Sequence, residues 1–210
     1  MIINHTNAMY RHILSMSSKN RYNGAFYYSQ EICDRIIPNV DTDYNWITVN
    51  VPGAGCNHAI VFVHNNKRPQ NYEWLAQYDD LILVCGIPET CEKVAHLGRT
   101  IYLPLSINVA EVEGYRKPKT KGTAYAGRPS KKQGAKFVKG TAFLEGVPRP
   151  TLLSEMAEYR NIYAVGRTAI EAKALGCNIL PYDPRFPDPE RWQVIDNLEA
   201  AEMLQEELNK

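Results

Sequence analysis

The sequence predicts an α/β protein of two small halves, each carrying a parallel β-sheet, and three observations lead there. Short runs rich in Val and Ile recur along the chain, separated by turns and helix-like segments. The runs are apolar throughout rather than alternating, the pattern of strands buried on both faces of a parallel sheet. The strand–helix alternation is interrupted once, across residues 108–122, and then resumes, so the βα grammar is written twice.

In the first half the predicted strands are Trp46–Val51, Ala59–Val63, Leu81–Cys85 and Thr100–Leu105. Tyr10–Met16, Ser29–Ile37, Asn71–Gln77 and Pro88–Leu97 read as the helices around them. In the last of these Pro88 suits the first turn, Glu89 and Glu92 suit the positive end of the helix dipole, and Gly98 suits the stop. Segment 108–122 holds Gly114, Pro118 and Gly122 among charges and reads as a connection. Beyond it, Thr123–Ala126, a loosely bounded Phe137–Phe143, Asn161–Val165 and Asn178–Pro181 read as strands. Thr151–Glu158 and Arg167–Leu175 read as helices, the second stopped by Gly176. A proline-rich turn, Pro181–Pro189, leads to an acidic surface helix from Glu190 to Leu208, with Trp192, Val194, Ile195, Leu198 and Met203 near helical spacing. These elements divide the chain into Rossmann-like halves, 1–115 and 116–210.

Composition narrows the class. At 210 residues and 44% hydrophobic, the chain has enough apolar material for one core, or two small ones. No run approaches the ~20 apolar residues of a membrane span. The opening residues turn polar too early for a signal peptide. Five scattered cysteines contain no C-x-x-C pair, which argues against a disulfide framework or a zinc ribbon and for a reducing, cytoplasmic setting. His5, His12 and His96 show no ligand spacing, so no metal site is expected.

The net charge of +1 conceals an asymmetry. Nine of the 24 basic residues fall between Arg116 and Lys139, where no Asp or Glu occurs, which leaves 15 basic against 23 acidic residues elsewhere. Such a block suits an anionic partner, or equally a solvated linker.

Two stretches carry candidate chemistry. In Tyr163–Pro181 a strand ends, Gly166 turns the chain, and a helix starts at Arg167 with Thr168 near its N-cap. The first amides and the dipole of such a helix favour a phosphate, and Glu171, one turn in, is placed to reach a ribose hydroxyl pair. The same residues also serve tight packing at Gly166 and a Thr168–Glu171 capping pair. In Tyr125–Gly134 a strand again leads into a glycine loop, with Gly127, Arg128, Lys131 and Lys132. Arg offers a fork and Lys a point charge to a diphosphate, and ligands of parallel sheets sit at strand carboxyl ends. A basic surface loop is the alternative reading.

The order LPLSINV at 103–109, TAYAGRPSKKQG at 123–134 and LLSEMAEYRNIYAVGRTAIEAKALGCNILPYD at 152–183 resembles the donor-binding half of GT-B glycosyltransferases of the retaining, glycogen-synthase-like kind. The resemblance implies a minimal GT-B architecture, with 1–115 as the acceptor-side half and 116–210 as the donor half. It implies a nucleotide-diphosphate sugar as donor, bound in a cleft between the halves, and no further cofactor. Gly127 and Arg128 match the start of that family's diphosphate loop, and Lys131 or Lys132 its lysine. Glu171 matches the second glutamate of a Glu-x7-Glu element that grips sugar and ribose. The chain departs from the pattern at Tyr163, which stands where the first glutamate belongs, in a shorter spacing to the lysine, and in its small size.

His64, at the end of the strand 59–63, is the candidate base or sugar-contacting group of the first half; a structural loop His is the plain alternative. The glycine turn at Gly53 and Gly55 precedes a strand rather than following one and fails the context of a dinucleotide fingerprint. The functional expectation is glycosyl transfer from a nucleotide sugar to an unidentified acceptor, with His64 and Glu171 as catalytic candidates. A non-catalytic nucleotide or nucleotide-sugar binder is the alternative. Nucleic acid as acceptor or partner is a third reading, for which the basic block offers only Tyr125 and Phe137 as stacking rings.

Overall fold

The computed structural model describes residues 24–47, 57–63, 73, 75–128 and 135–210. Among these residues the chain forms eight strands and six α-helices, in two four-stranded parallel sheets. The chain is therefore α/β, in two halves of Rossmann-like layout. The predicted helix Tyr10–Met16, the strand end at 48–51, the glycine turn at 53–55 and most of the 71–77 segment lie outside the described residues.

The first sheet takes β1 (Asn45–Ile47), β2 (His58–Val63), β3 (Asp80–Cys85) and β4 (Arg99–Tyr102) in sequence order, β1-β2-β3-β4. All residues of β2 after His58 and of β3 after Asp80 are buried, so both faces are dry. Ala59, Val61, Val63, Leu81, Leu83 and Cys85 share one cluster with Leu75 and with Val94 of α2 (Pro88–Val94). Ile60, Phe62, Ile82 and Val84 point to the opposite face and are equally buried. Helix α1 (Gly24–Glu31) runs on into a widened turn, Ile32–Ile36, whose Ile32 and Ile36 are fully buried.

The second sheet takes β5 (Lys121–Ala126), β6 (Ala142–Leu144), β7 (Tyr159–Tyr163) and β8 (Asn178–Leu180) in the order β6-β5-β7-β8. Helices α3 (Val109–Glu113), α4 (Arg149–Met156) and α5 (Arg167–Ala174) contribute Val112, Leu153, Met156 and Ile170 to one cluster with Ala124, Ala126, Leu144, Ile162 and Ile179 of the strands. Helices α4 and α5 share that cluster and lie on one face, the arrangement right-handed crossovers call for, and Phe137 of the β5-to-β6 connection packs on the rings of the other. Among the described residues that connection holds no helix. Phe137 from it packs on Tyr125 at 5.2 Å between ring centroids, on Phe143 at 5.5 Å and on Tyr163 at 5.0 Å.

Two differences from the sequence reading concern the ends of the second half. The compact units are Ala25–Pro104 with Asn197–Lys210, and Leu105–Asp196, where the sequence suggests division at 115. Segment 105–115 joins the second unit because Ile107 and Val112 are fully buried in its core. The last helix does not begin near 190. A short turn, Pro189–Arg191, is capped by the Asp188 carboxylate accepting from the Glu190 amide at 2.8 Å. Trp192 then enters the core of the second unit against Phe186, and Asp196 bridges to Ile107. Only at Asn197 does α6 (Asn197–Leu208) start, and it belongs to the first unit. It buries Asn197, Ala200, Ala201 and Leu204, so it is not a free surface helix. Asn197 Nδ2 donates to Glu31 Oε2 at 2.8 Å, tying it to α1. The 137–143 strand is shorter than expected, since 135–138 form the ring-bearing loop and β6 begins at Ala142.

Candidate functional site at the carboxyl edge of the second sheet

Strands β5 and β7 are neighbours, with Tyr125 opposite Tyr163. Beyond them the chain leaves in opposite directions, from β5 to β6 on one side and from β7 to β8 on the other. This is the switch point at which open α/β sheets form a ligand crevice. The two sequence motifs are brought together there: Gly127–Arg128 follows β5 and Gly166–Arg167 follows β7. His64, Lys131 and Lys132 lie outside the described residues.

Gly127 has a specific local reason. A Cβ built on it would stand 2.6 Å from the Tyr125 hydroxyl oxygen and 2.8 Å from Cζ. The missing side chain lets the Tyr125 phenol fold beneath the turn and donate to the Arg128 carbonyl at 2.8 Å. Tyr125 is fully buried, and that burial, more than its hydrogen bond with Tyr182, pushes its phenol pKa well above the usual value. The Arg128 side chain is exposed.

Gly166 precedes α5 with φ +64° and ψ −144°, backbone that only glycine adopts without strain. It is the N-cap residue itself, and no side chain caps the helix. Thr168 is therefore inside the first turn rather than at the cap, and the capping-pair reading of Thr168 and Glu171 does not apply. The Ala169 amide donates to the Gly166 carbonyl at 2.9 Å, and the helix starts beyond the carboxyl end of β7.

Glu171 is buried, 4% exposed. Its Oε1 accepts from Arg149 Nε at 2.9 Å and from Arg167 Nε at 3.1 Å. Arg149 also donates from Nη1 to Glu111 Oε1 at 2.6 Å. Glu111 is fixed in turn by α3, whose cap residue Asn108 accepts from the Glu111 amide. Arg149 and Arg167 are the first residues of α4 and α5, where a cation opposes the helix dipole. Both helices therefore begin with a buried guanidinium, and the two converge on one carboxylate oxygen. The sequence reading missed Arg149 and Glu111. The signal available was an Arg between Pro148 and Pro150 at a helix start, a position that demands an anionic partner.

Tyr163, the residue in place of the family's first glutamate, is buried beneath Phe137. A carboxylate there would lie among rings, so the aromatic suits its surroundings.

A second titratable cluster lies in the first unit at the amino ends of its strands, opposite the edge where α/β sheets take ligands. Tyr44 donates to Asp80 Oδ2, which also faces His58 Nδ1 at 3.3 Å. The Tyr44 hydrogen bond is the main reason the Asp80 carboxyl sits below the usual range. Among the described residues no three His, Cys, Asp or Glu side chains group as a metal site would, and no helix is long and apolar enough to cross a membrane. Compared with known proteins, the chain matches no family model, no curated protein and no solved structure.

Proposed function

We propose that the second unit binds a nucleotide-diphosphate sugar at the carboxyl ends of β5 and β7, and that the protein is a compact GT-B-type glycosyltransferase. The observation that carries this is the switch point, which sets an Arg-bearing glycine turn beside a helix N-terminus that no side chain caps. Arg128 would meet the diphosphate and offset the charge that grows as the nucleoside diphosphate departs. The amides after Gly166 would add donors to the same anion. Glu171 would turn its second oxygen, Oε2, to the ribose, with Oε1 already held by two arginines.

A second reading, binding without transfer, is favoured by that same engagement of Glu171 and by Tyr163 at the first-glutamate position. The two readings separate by titrating UDP, GDP and their sugar conjugates calorimetrically and by following release of free nucleoside diphosphate. Binding with turnover supports the enzyme, and binding without turnover supports the second reading. Absence of binding to every nucleotide tested, or an Arg128→Ala variant that binds as well as the parent, overturns both.

A further inference from the structure

Glu171 is held by one of its two oxygens. Among the described residues Oε1 accepts from Arg149 Nε at 2.9 Å and from Arg167 Nε at 3.1 Å, and Oε2 accepts from none. In a side chain this deeply buried, a carboxylate oxygen calls for a donor. Stability alone does not call for the arrangement. Each arginine opens a helix, where a cation opposes the dipole, and a buried ion cluster is often no more stable than apolar packing in its place. The two arginines are not equivalent. Arg167 stands on the same helix as Glu171, four residues before it, and fixes the carboxylate from one side only. Arg149 comes from α4, and its Nη1 donates to Glu111 Oε1 at 2.6 Å. The Glu111 amide in turn donates to Asn108 Oδ1 at 3.3 Å. Helices α3, α4 and α5 thus fix together the direction in which Oε2 faces.

A carboxylate between two guanidinium groups accepts hydrogen bonds and does not donate them. Oε2 therefore selects a donor and repels a phosphate. In a nucleoside diphosphate the phosphates are acceptors, suited to Arg128, and the ribose supplies hydroxyl donors. We infer that Arg149 is a positioning residue that, anchored by Glu111, aims Glu171 Oε2 at the ribose, so that the site takes ribonucleoside diphosphates in preference to their 2′-deoxy counterparts. A deoxyribose would bring one donor fewer to a buried acceptor, and a site built around a substrate hydroxyl rejects the analogue that lacks it. This inference rests on the nucleotide-binding reading of the crevice and adds to it the substrate class and the two residues, Arg149 and Glu111, that set it.

The test is calorimetric titration of the full chain with UDP, GDP and their 2′-deoxy forms. The parent should prefer the ribonucleotide by about tenfold or more. Arg149→Gln should lose most of that preference while its affinity for the deoxy form stays near the parental value, a split that a general loss of structure would not produce. Glu111→Gln, at a side chain 40% exposed, should keep the parental melting temperature and lose part of the preference, and it decides the question if Arg149→Gln does not fold. Ribo and deoxy forms bound alike by the parent, an unchanged preference in every variant that folds, or equal weakening of both forms would each overturn the positioning role and leave the diphosphate site standing. A parent that binds none of the four nucleotides would overturn both.

Discussion

The two sheets have the same strand count and the same parallel sense, yet they are finished differently. The first keeps its strands in sequence order and buries both faces, with Ile60, Phe62, Ile82 and Val84 on one side and Val61 and Leu83 on the other. Every connection between its described strands steps the same way, so those strands contain no switch point. The second reverses direction between β5 and β7, and its described helices α3, α4 and α5 share one cluster on one face, while Phe137 lies on the rings of the other. A run of strands stepping one way holds a half together, whereas a reversal leaves a crevice at the carboxyl ends of the strands, which is why the proposed site is placed on the second sheet.

The sharpest way to break the comparison is to make the same truncation in each sheet. Phe62→Ala, on the closed sheet, should cost about 3–5 kcal/mol in denaturant unfolding, because Phe62 is buried and stacked on Trp46. Phe143→Ala, on the edge strand of the second sheet, should cost about 1 kcal/mol or less, because half of its surface is already wet. Equal losses would mean that the Phe143 ring is as fully packed in solution as Phe62. The buried ion cluster comes close behind. Glu171→Ala would remove the carboxylate oxygen that two buried guanidinium groups share and should destabilise the protein by about 3 kcal/mol, read as a lower denaturation midpoint. A Glu171→Ala protein of parental stability would show that Arg149 and Arg167 do not depend on it.

A smaller effect is expected at the braced turn. Gly127→Ala brings a Cβ against the anchored Tyr125 phenol, at a cost of about 1–3 kcal/mol, and should disturb the Arg128 carbonyl contact seen by amide exchange. The smallest is electrostatic. The folded Asp80 pKa lies below its ordinary value. The stability it contributes is therefore present above that ordinary value and lost as pH falls through the folded pKa. Tyr44→Phe removes the largest cause, so the Asp80 carboxyl should titrate at higher pH in an NMR titration. An unmoved carboxyl would assign the shift to His58 and Arg99 instead.

Much of the fold is legible in the sequence because parallel strands announce themselves as unbroken apolar runs. Leu81–Cys85 and Ala59–Val63 are read almost to the residue. Gly166 before Arg167 marks the start of α5, since only glycine fits that backbone. What was not legible depends on contacts distant in sequence. The start of α6 is delayed to Asn197 because Asp196 bridges to Ile107 and accepts from the Val109 amide, 87 residues earlier. Arg149 meets Glu171 across 22 residues and Glu111 across 38, and no local spacing reports such a meeting. The ring cluster escaped because Phe137, Phe143, Tyr163 and Tyr182 lie on four different segments, which only strand register aligns.

The central claim is that the carboxyl edge of the second sheet takes a nucleoside diphosphate group, and a thermal-shift titration of the parent and Arg128→Ala proteins with UDP and GDP tests it most directly. Saturation to about a hundred times the Kd should stabilise the parent by about 2.7 kcal/mol, a rise in Tm of roughly 5–10 °C for a chain of this size, and the rise should fall sharply in Arg128→Ala. No rise with either diphosphate, or the same rise in both proteins, would contradict the account.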